Sequence, residues 1–463
     1  MRMLEALLLI TILVALAVVA LPRLPHGRWR WALGLLPAFA ALVQLAVEGF
    51  RWQMVPAYAL AVLIAAMGGL RPRKLAVAAS AVLLALAVAL PLVVPVFRFP
   101  LPSGTYNIGT RTYHWVDESR ADFGDPSMPR EIVVQLWYPA TPLPGAETDH
   151  YVQPDVSIST GSETLQLPGF YLSHLSMVRT HAVVGAPIAK TDEPMPVLVF
   201  SPGARGFRQH NTFQVEELVS HGYVVAAIDH PRAASQVVLP GGRRIDADRT
   251  LIDIPRFFSE PAFGERIFNY LGEDVAFAAT RIIDLNQMDP NFAGRLDTSS
   301  IGVFGVSLGG LVAAEACRID RRLKACLVQD VFVPDDVIEA GVDQPTMWLT
   351  RDADSMREEG WPEWEVALHQ DSMLRAFNGA SAEGYIVHIP GMFHLNYTDF
   401  PHTVATPVAQ TIGLIGPIDW RRGHKIINAY ALAFFDRHLR GRPARLLDAG
   451  SRHFPGVNLQ IKH

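Results

Sequence analysis

Apolar residues are concentrated in four long stretches at the start of the chain. The stretches are Ala6–Leu21, Trp31–Val47, Met54–Leu70 and Leu75–Phe97. The last has no charged residue, and the other three are near the short end of the length that spans a bilayer. Arginine-bearing breaks separate them, so the pattern predicts an all-α transmembrane region of about four helices within residues 1–98. The alternative is three spans after a cleaved leader, for which Val19-Ala20-Leu21-Pro22 would be a poor cleavage site.

The basic residues between these stretches predict an orientation. The first and third loops hold Arg23, Arg28, Arg30, Arg71, Arg73 and Lys74, and the opposite side holds Arg2, Arg51 and Arg98. Loops rich in lysine and arginine stay in the cytoplasm, which favours a cytoplasmic position for the first and third loops. Everything after Arg98 would then be extracytoplasmic.

After residue 98 the pattern changes to short apolar runs that alternate with helical segments. A stiff linker, Phe99–Gly104 with its two prolines, begins a second domain, residues 99–463. The runs predicted to form strands are Glu131–Tyr138, Pro196–Ser201, Val224–Asp229, Ile301–Phe304, Ala325–Gln329, Thr346–Leu349 and Tyr385–Ile389. Helical stretches such as Glu273–Leu285 and Leu308–Arg318 lie between several of them. This alternation predicts an α/β domain, with a mostly parallel sheet covered by helices on both faces.

Composition excludes several functions for a chain of 463 residues. The formal net charge of −5 leaves no basic footprint, so nucleic acid is not an expected partner. The two cysteines, Cys317 and Cys326, give no disulfide framework and no zinc spacing. Because the histidines are scattered without a metal-ligand pattern, no metal and no cofactor is implied.

One pentapeptide, Gly305-Val306-Ser307-Leu308-Gly309, carries the candidate chemistry. It follows an apolar run rich in β-forming residues and precedes a segment with high helix propensity. A G-x-S-x-G motif between a strand and a helix is the nucleophile elbow of an α/β-hydrolase. The tight turn leaves no room for side chains at the two glycines. It exposes the Ser307 hydroxyl at the edge of the sheet, where a base can reach it.

A serine hydroxyl needs a general base, which in this fold is a histidine later in the chain. His394 follows the strand Tyr385–Ile389 on a loop from which it could reach the serine, and we predict that it is the base. His388 lies inside that strand and reads as a packed residue. His424 and His438, in the C-terminal helix, read as surface positions.

The acid that orients the histidine has three candidates on pattern alone. Asp330 ends the strand Ala325–Gln329, while Asp352 and Asp354 follow the strand Thr346–Leu349. All stand at carboxyl ends of strands, where sites of α/β sheets form, and the pattern does not choose between the two strands. For the oxyanion hole the expected donors are the backbone amides of Leu308, directly after the nucleophile, and Ala204, in the glycine-rich loop after Pro196–Ser201.

Several segments resemble one enzyme family, in the order in which that family carries them. They are Gly104-Thr105-Tyr106, Leu136-Trp137-Tyr138-Pro139, Met195–Asp229, Gly305–Gly310, Leu327-Val328-Gln329-Asp330 and Gly391–Phe400. Together they are similar to the plasma and intracellular type II platelet-activating factor acetylhydrolases and to related bacterial esterases, over roughly residues 100–445. The resemblance implies Asp330 as the acid, ahead of Asp352 and Asp354. It also implies Ser307, His394 and the two amides in their predicted roles.

The prediction is a membrane-anchored serine carboxylic ester hydrolase, acetylhydrolase-like or lipase-like, that works through an acyl-enzyme. Its partners would be an ester or lipid substrate, with short-acyl phospholipids implied by the resemblance, and the membrane. The alternatives are an acyltransferase or amidase on the same fold, or a catalytically silent membrane receptor or scaffold. Two further segments, Tyr151–Lys190 and Arg357–Gly379, would either wall or gate the acyl pocket, or cover edges of the sheet.

Overall fold

A computed structural model describes residues 1–20, 28–67, 74–158, 167–448 and 454–463. Its amino-terminal region consists of apolar helices that run up and down. They are α1 (Met3–Ala20), α2 (Arg28–Glu48), α3 (Val55–Met67) and α4 (Lys74–Val93). Buried leucine, isoleucine and alanine side chains of these helices form a core of their own.

Two of these helices are long and apolar enough to cross a membrane by length and composition, over Trp31–Glu48 and Leu75–Val93. The helices over Met3–Val18 and Trp52–Met67 are apolar but shorter. The ends of the first and third predicted spans, at Leu21 and at residues 68–70, lie outside the described residues. The transmembrane region of four helices therefore stays a prediction.

The rest of the chain is built around one large sheet, in which the described residues form eleven strands in the order β13-β12-β11-β10-β9-β5-β6-β2-β1-β4-β3. The strands are β1 (Asn107–Ala121), β2 (Pro129–Ala140), β3 (Thr148–His150), β4 (Arg179–Val184), β5 (Met195–Ser201), β6 (Val224–Asp229), β9 (Leu296–Val306), β10 (Leu323–Gln329), β11 (Thr346–Thr350), β12 (Gly384–His388) and β13 (Asn458–Lys462). A separate hairpin pairs β7 (Gln236–Val238) with β8 (Arg244–Asp246). The six central strands are parallel, in the order β12-β11-β10-β9-β5-β6. At one side of them β2 pairs antiparallel with β6, and at the other side β13 pairs antiparallel with β12.

Helices cover both faces of the sheet. They are α5 (Thr212–Ser220), α6 (Ile254–Ser259), α7 (Pro261–Met288), α8 (Leu308–Ile319), α9 (Asp335–Ala340), α10 (Ala353–Glu358), α11 (Glu363–Gly379), α12 (Thr406–Thr411) and α13 (Trp420–Arg440). Because side chains alternate along a strand, Val197 and Val199 of β5 pack with α7 and α8, while Leu198 and Phe200 pack with α5 and α13. The predicted α/β architecture, a mostly parallel sheet between two helical layers, is confirmed.

Each of the predicted strands is present, with bounds that differ by a few residues. The predicted helices are parts of α7 and α8. The sequence patterns missed β1, β3, β4 and β13, which lie towards the two ends of the sheet, and both strands of the separate hairpin, β7 and β8. Strand β1 mixes exposed and buried residues over a length that contains four charged side chains, and such a strand carries only a weak apolar signal.

The sheet domain contacts one end of the helical region. The beginnings of α1 and α3 and the ends of α2 and α4 share this end. There the Trp52 indole N–H donates to the carbonyl oxygen of Tyr171 at 3.0 Å, and the Ala405 amide donates to the carbonyl oxygen of Val93 at 2.8 Å. The two loops predicted to be cytoplasmic would leave the bundle at its other end. Their residues Arg23, Arg71 and Arg73 lie outside the described part of the chain.

Candidate active site

Ser307 stands on a strained turn between β9 and α8. Its backbone has φ 57° and ψ −128°, a left-handed conformation that a residue with a side chain rarely adopts. The turn is held on both sides, because the Ser307 amide donates to the carbonyl oxygen of Gln329 at 2.9 Å and its carbonyl accepts from the Gly310 amide at 2.8 Å. Ser307 is half-buried between the buried Val306 and Leu308, as the predicted elbow requires.

The two glycines of the elbow have a steric explanation. A Cβ atom on Gly305 would collide with the carbonyl oxygen of Gly309, and a Cβ atom on Gly309 would collide with the carbonyl oxygen of Ser201. The second contact joins the elbow to the end of β5, from which the glycine-rich loop starts. The glycines therefore allow both the tight turn and its close approach to the neighbouring loop.

His394 and Asp330 are hydrogen-bonded to each other at the same edge of the sheet. The His394 Nδ1 atom lies 2.6 Å from Asp330 Oδ2. Asp330 follows β10, the strand next to the one that carries Ser307, and His394 lies on the loop after β12. The Asp330 carboxylate is buried, whereas the imidazole keeps 24% of its side-chain surface exposed. A hydrogen bond at Nδ1 leaves Nε2 as the nitrogen that can exchange protons.

The surroundings of Asp330 keep it ionised. Burial by itself would raise the pKa of this carboxyl group, but the Arg351 guanidinium and the hydrogen bond from His394 outweigh it and hold the pKa well below its usual value. Arg351 Nε lies 3.1 Å from Asp330 Oδ1, and the Thr350 hydroxyl donates to the same oxygen at 3.0 Å. An ionised acid of this kind can stabilise a positive imidazolium.

The competing acids have other contacts. Asp352 is the N-cap of α10, where its carboxylate accepts from the Ser355 amide at 2.9 Å. Asp354 is exposed and pairs with Arg357 at 3.0 Å. It is Asp330 whose carboxylate contacts the His394 ring.

The interpretation of two other histidines was wrong. His424 is buried, stacks on Phe213 with 3.7 Å between ring centroids, and lies 3.1 Å from the carbonyl oxygens of Asn396 and Thr398. The side chain of His438 is only 9% exposed. Both lie on the face of α13 that packs against the domain. The basic residues on the opposite face of this helix made its amphipathic pattern hard to recognise in the sequence. His388 is the last residue of β12 and is half-buried.

The glycine-rich loop lies beside the elbow. A Cβ atom added to Gly203 would be 3.4 Å from Ser307 Cβ, so Ala204, the next residue, stands close to the nucleophile. Arg205 has a φ of 54°, and its amide donates to the carbonyl oxygen of Ala233 at 2.9 Å. Ala204 is half-buried, and Leu308, the other predicted amide donor, is buried at the start of α8.

Behind this loop lies a second serine–histidine–aspartate array, which the sequence analysis did not find. Ser201 Oγ is 3.0 Å from His230 Nε2, and His230 Nδ1 is 2.8 Å from Asp274 Oδ2. All three side chains are buried, and Asp274 also accepts from Arg130 at 2.6 Å. Ser201 is the last residue of β5 and has no exposed surface, so this array stabilises the base of the loop and has no access to a substrate. Spacing in the sequence gives no signal for it, because its members come from three separate elements.

The two further segments differ in what they do. In Tyr151–Lys190, β4 pairs with β1 near one edge of the sheet, and Tyr171 contacts Trp52 of the helical region. Leu165 of this segment lies outside the described residues. In Arg357–Gly379, the Trp361 ring centroid is 5.9 Å from that of His394, so this segment forms a wall of the candidate site.

The family is shown by comparison with known proteins. A family model described as "Platelet-activating factor acetylhydrolase, isoform II" matches residues 96–239 and 271–443. The chain belongs to this family. The match leaves out the four amino-terminal helices, and it also leaves out the segment of residues 240–270, which contains β8 and α6.

Curated relatives of this acetylhydrolase family agree with that assignment. The chain is 24% identical to the platelet-activating factor acetylhydrolase of Canis lupus familiaris over 370 residues, 74% of this chain and 77% of that protein. It is 24% identical to a probable 1-alkyl-2-acetylglycerophosphocholine esterase of Arthroderma benhamiae over 382 residues, 78% of this chain and 93% of that protein. The match to the Cavia porcellus acetylhydrolase, also 24% identical, spans only 59% of that protein.

Among solved structures, a ferulic acid esterase from Streptomyces cinnamoneus is similar with a TM-score of 0.61 and 32% identity. The similarity covers 78% of this chain and 99% of that one. The acetylhydrolases and both esterases belong to one reaction class. This family member is therefore a carboxylic ester hydrolase of the α/β-hydrolase fold, as the sequence predicted.

Proposed function

We propose that this protein is a membrane-anchored serine esterase in which Ser307, His394 and Asp330 form the catalytic triad. The observation that carries the proposal is the 2.6 Å hydrogen bond between His394 and Asp330, at the sheet edge that also carries the elbow serine. A serine on a strained elbow together with a histidine held by a buried, ionised acid has the parts that acyl transfer needs.

In the proposed mechanism Ser307 Oγ attacks the ester carbonyl carbon while His394 Nε2 takes the hydroxyl proton. Asp330 holds the imidazole in the tautomer that makes this possible and stabilises the imidazolium that forms. The negative oxygen of the tetrahedral intermediate accepts hydrogen bonds from the backbone amides of Ala204 and Leu308. Collapse of the intermediate breaks the ester bond, and the leaving alkoxide takes the proton from His394.

The second half of the reaction repeats these steps with water. His394 removes a proton from a water molecule, which attacks the acyl-enzyme, and the acid product leaves as Ser307 recovers its proton. Because all these steps are proton transfers and nucleophilic additions, the reaction needs no redox group.

We place residues 1–98 in a membrane and residues 99–463 outside the cytoplasm. The apolar helices and the excess of basic residues in the first and third loops support this arrangement. The proposed substrates are short-acyl esters, with short-acyl glycerophospholipids as the lipid class. The activities for which the curated relatives are named support that class, as does the docking of the domain against apolar helices.

The test of this proposal is Ser307→Ala in the full chain. A fluorophosphonate should label the wild-type protein at Ser307 and leave the variant unlabelled, and ester hydrolysis should fall to background while thermal unfolding stays unchanged. Ser201→Ala is the matched control, because Ser201 is buried and should not react with the reagent. Equal labelling of wild type and Ser307→Ala would remove Ser307 as the nucleophile.

A second candidate substrate is an ester of an aromatic acid. The Trp361 ring beside His394 and the nearby rings of His369 and Phe332 could stack on an aromatic acyl group, and the similar solved structure is a ferulic acid esterase. Hydrolysis of methyl ferulate should be compared with that of a 2-acetyl glycerophospholipid. Trp361→Ala should reduce kcat/KM for the aromatic ester selectively if the ring binds it.

A further inference from the structure

Four residues form a closed circuit of polar contacts around the proposed catalytic histidine. We call Asp330, Arg351, Glu359 and His394 the ionic ring. His394 Nδ1 lies 2.6 Å from Asp330 Oδ2, and Asp330 Oδ1 lies 3.1 Å from Arg351 Nε. Arg351 Nη1 pairs with the Glu359 carboxylate, whose two oxygens accept from the His394 backbone amide at 3.2 and 3.1 Å. His394 is thus held through both its side chain and its backbone.

The ring lies in a place where charges interact strongly. The side chains of Asp330 and Arg351 have no exposed surface, and that of Glu359 is 13% exposed. The Trp361 ring covers the guanidinium, with 4.2 Å between Arg351 Cζ and the ring centroid. Water is excluded from Asp330 and Arg351 and largely excluded from Glu359, so these charges act on the imidazole with little screening.

We propose that Arg351 and Glu359 are positioning residues that aim the His394 imidazole and set its proton affinity. The proposal rests on His394 being the general base of the proposed triad. Two carboxylates stabilise the protonated imidazole, and one guanidinium opposes them. Losing either charge should therefore move the acid limb of the pH–activity profile in a known direction, which a purely structural role would not do.

Among the described residues, the histidines His210 and His369 also interact electrostatically with His394. Burial, together with the nearby His394, lowers the pKa of His210 to about 4. Burial lowers the pKa of His369 to about 3. Both are neutral at the pH at which an esterase is assayed. The electrostatic field at His394 in that range is thus set by Asp330, Arg351 and Glu359.

The experiment measures kcat/KM of the full-length protein for phenyl acetate over roughly pH 5 to 9, where the acid limb reports the pKa of the free base. Glu359→Gln removes a negative charge, so the acid limb of the profile should move to lower pH by about one pH unit. Arg351→Gln removes a positive charge, so the acid limb should move to higher pH by about the same amount. Misalignment of the imidazole should also lower kcat in both variants, roughly tenfold or more.

Matched controls lie a few residues away. Arg357→Gln and Glu363→Gln make the same chemical changes in an exposed ion pair outside the ring and should leave the limb in place. The double variant Arg351→Gln/Glu359→Gln restores the charge balance, so its limb should return to the wild-type position while kcat stays low. Arg351→Lys keeps the charge and should also leave the limb unmoved.

If Arg351→Gln does not fold, Glu359→Gln decides alone, since its carboxylate is at the edge of the buried region. An unmoved limb in Glu359→Gln, or shifts of the same sign in the two single variants, would overturn the proposal. Failure of the proposed triad has a different signature. Activity would then survive in Ser307→Ala, whereas the ring is tested on activity that depends on Ser307.

Discussion

Single residues in the candidate site have unusual backbone conformations. Within the described part of the chain, non-glycine residues with a left-handed φ are Arg205, Arg232, Ser307 and Asp330. Three of them belong to the predicted oxyanion loop, the elbow and the position of the triad acid. Each such residue costs about 1–3 kcal/mol, a strain that proteins keep mainly where function needs an exact side-chain direction. The strain is an independent reason to place the chemistry here.

At this scale we expect Asp330→Asn to reduce kcat by about 10⁴, by analogy with serine proteases. The amide favours the wrong imidazole tautomer and cannot stabilise the imidazolium. Steady-state hydrolysis of phenyl acetate measures the effect. Thermal unfolding of the same variant separates it from the loss of the Asp330–Arg351 pair.

The control for Asp330→Asn is Asp352→Asn. Asp352 caps α10, and asparagine caps helices about as well as aspartate, so stability should change by less than about 1 kcal/mol and kcat should stay near normal. A normal kcat in Asp330→Asn together with a collapse in Asp352→Asn would mean that the acid lies one strand further along.

At the scale of elements, the buried Ser201–His230–Asp274 array connects the strands and helices around the site. It joins the end of β5, the residue after β6 and the middle of α7, and Arg130 of β2 adds a fourth element. Burial would raise the pKa of Asp274, but Arg130, His230 and Arg120 outweigh it and hold that pKa far below its usual value. The carboxylate therefore stabilises the folded protein in its charged form.

We expect Asp274→Asn to destabilise the protein by about 3 kcal/mol at neutral pH, because the buried Arg130 would lose its nearest carboxylate and keep only the more distant Asp122. The pKa of Asp274 is lower in the folded state, so its contribution is complete above the unfolded value of about 4 and declines as the pH falls below it. Urea unfolding of the wild type and of Asp274→Asn should show a difference in the free energy of unfolding that becomes smaller as the pH falls. A difference that stays constant with pH would contradict the assignment of a charged Asp274 carboxylate in the folded protein.

At the scale of the whole molecule, the sheet domain is seated on the helical region at one end of the bundle. Trp52 contacts Phe170 and Tyr171, with 5.6 Å between ring centroids in each pair, and Phe97 and Phe99 contact Tyr151. Aromatic residues are typical of the interface between a membrane and water. The arrangement agrees with an enzyme that works close to the surface of a bilayer.

The predicted topology has its own test. A fusion of alkaline phosphatase to the carboxyl terminus should be active, because that enzyme folds only outside the cytoplasm, and a fusion of a cytoplasm-dependent fluorescent protein should be dark. The expectation follows from the basic residues of the first and third loops. The reverse pair of results would place the sheet domain in the cytoplasm.

The sequence by itself determined the central strands, the elbow and the reaction class. These features depend on local patterns, since a buried parallel strand is a continuous apolar run and an elbow needs its glycines at fixed spacing. It also singled out His394 and the amides of Ala204 and Leu308 as candidates, whose roles remain predictions. It did not choose between Asp330 and Asp352 or Asp354 from pattern alone, because every strand end looks alike.

Only the tertiary structure decided which side chains meet. It joined His394 to Asp330, buried His424, which had looked like a surface residue, and assembled Arg351 and Glu359 into a ring with them. It also built the Ser201–His230–Asp274 array from separate elements. Contacts between residues far apart in the chain depend on strand order and packing, and no spacing in the sequence encodes these directly. Local chemistry was therefore readable from the sequence, and the environment that tunes it was not.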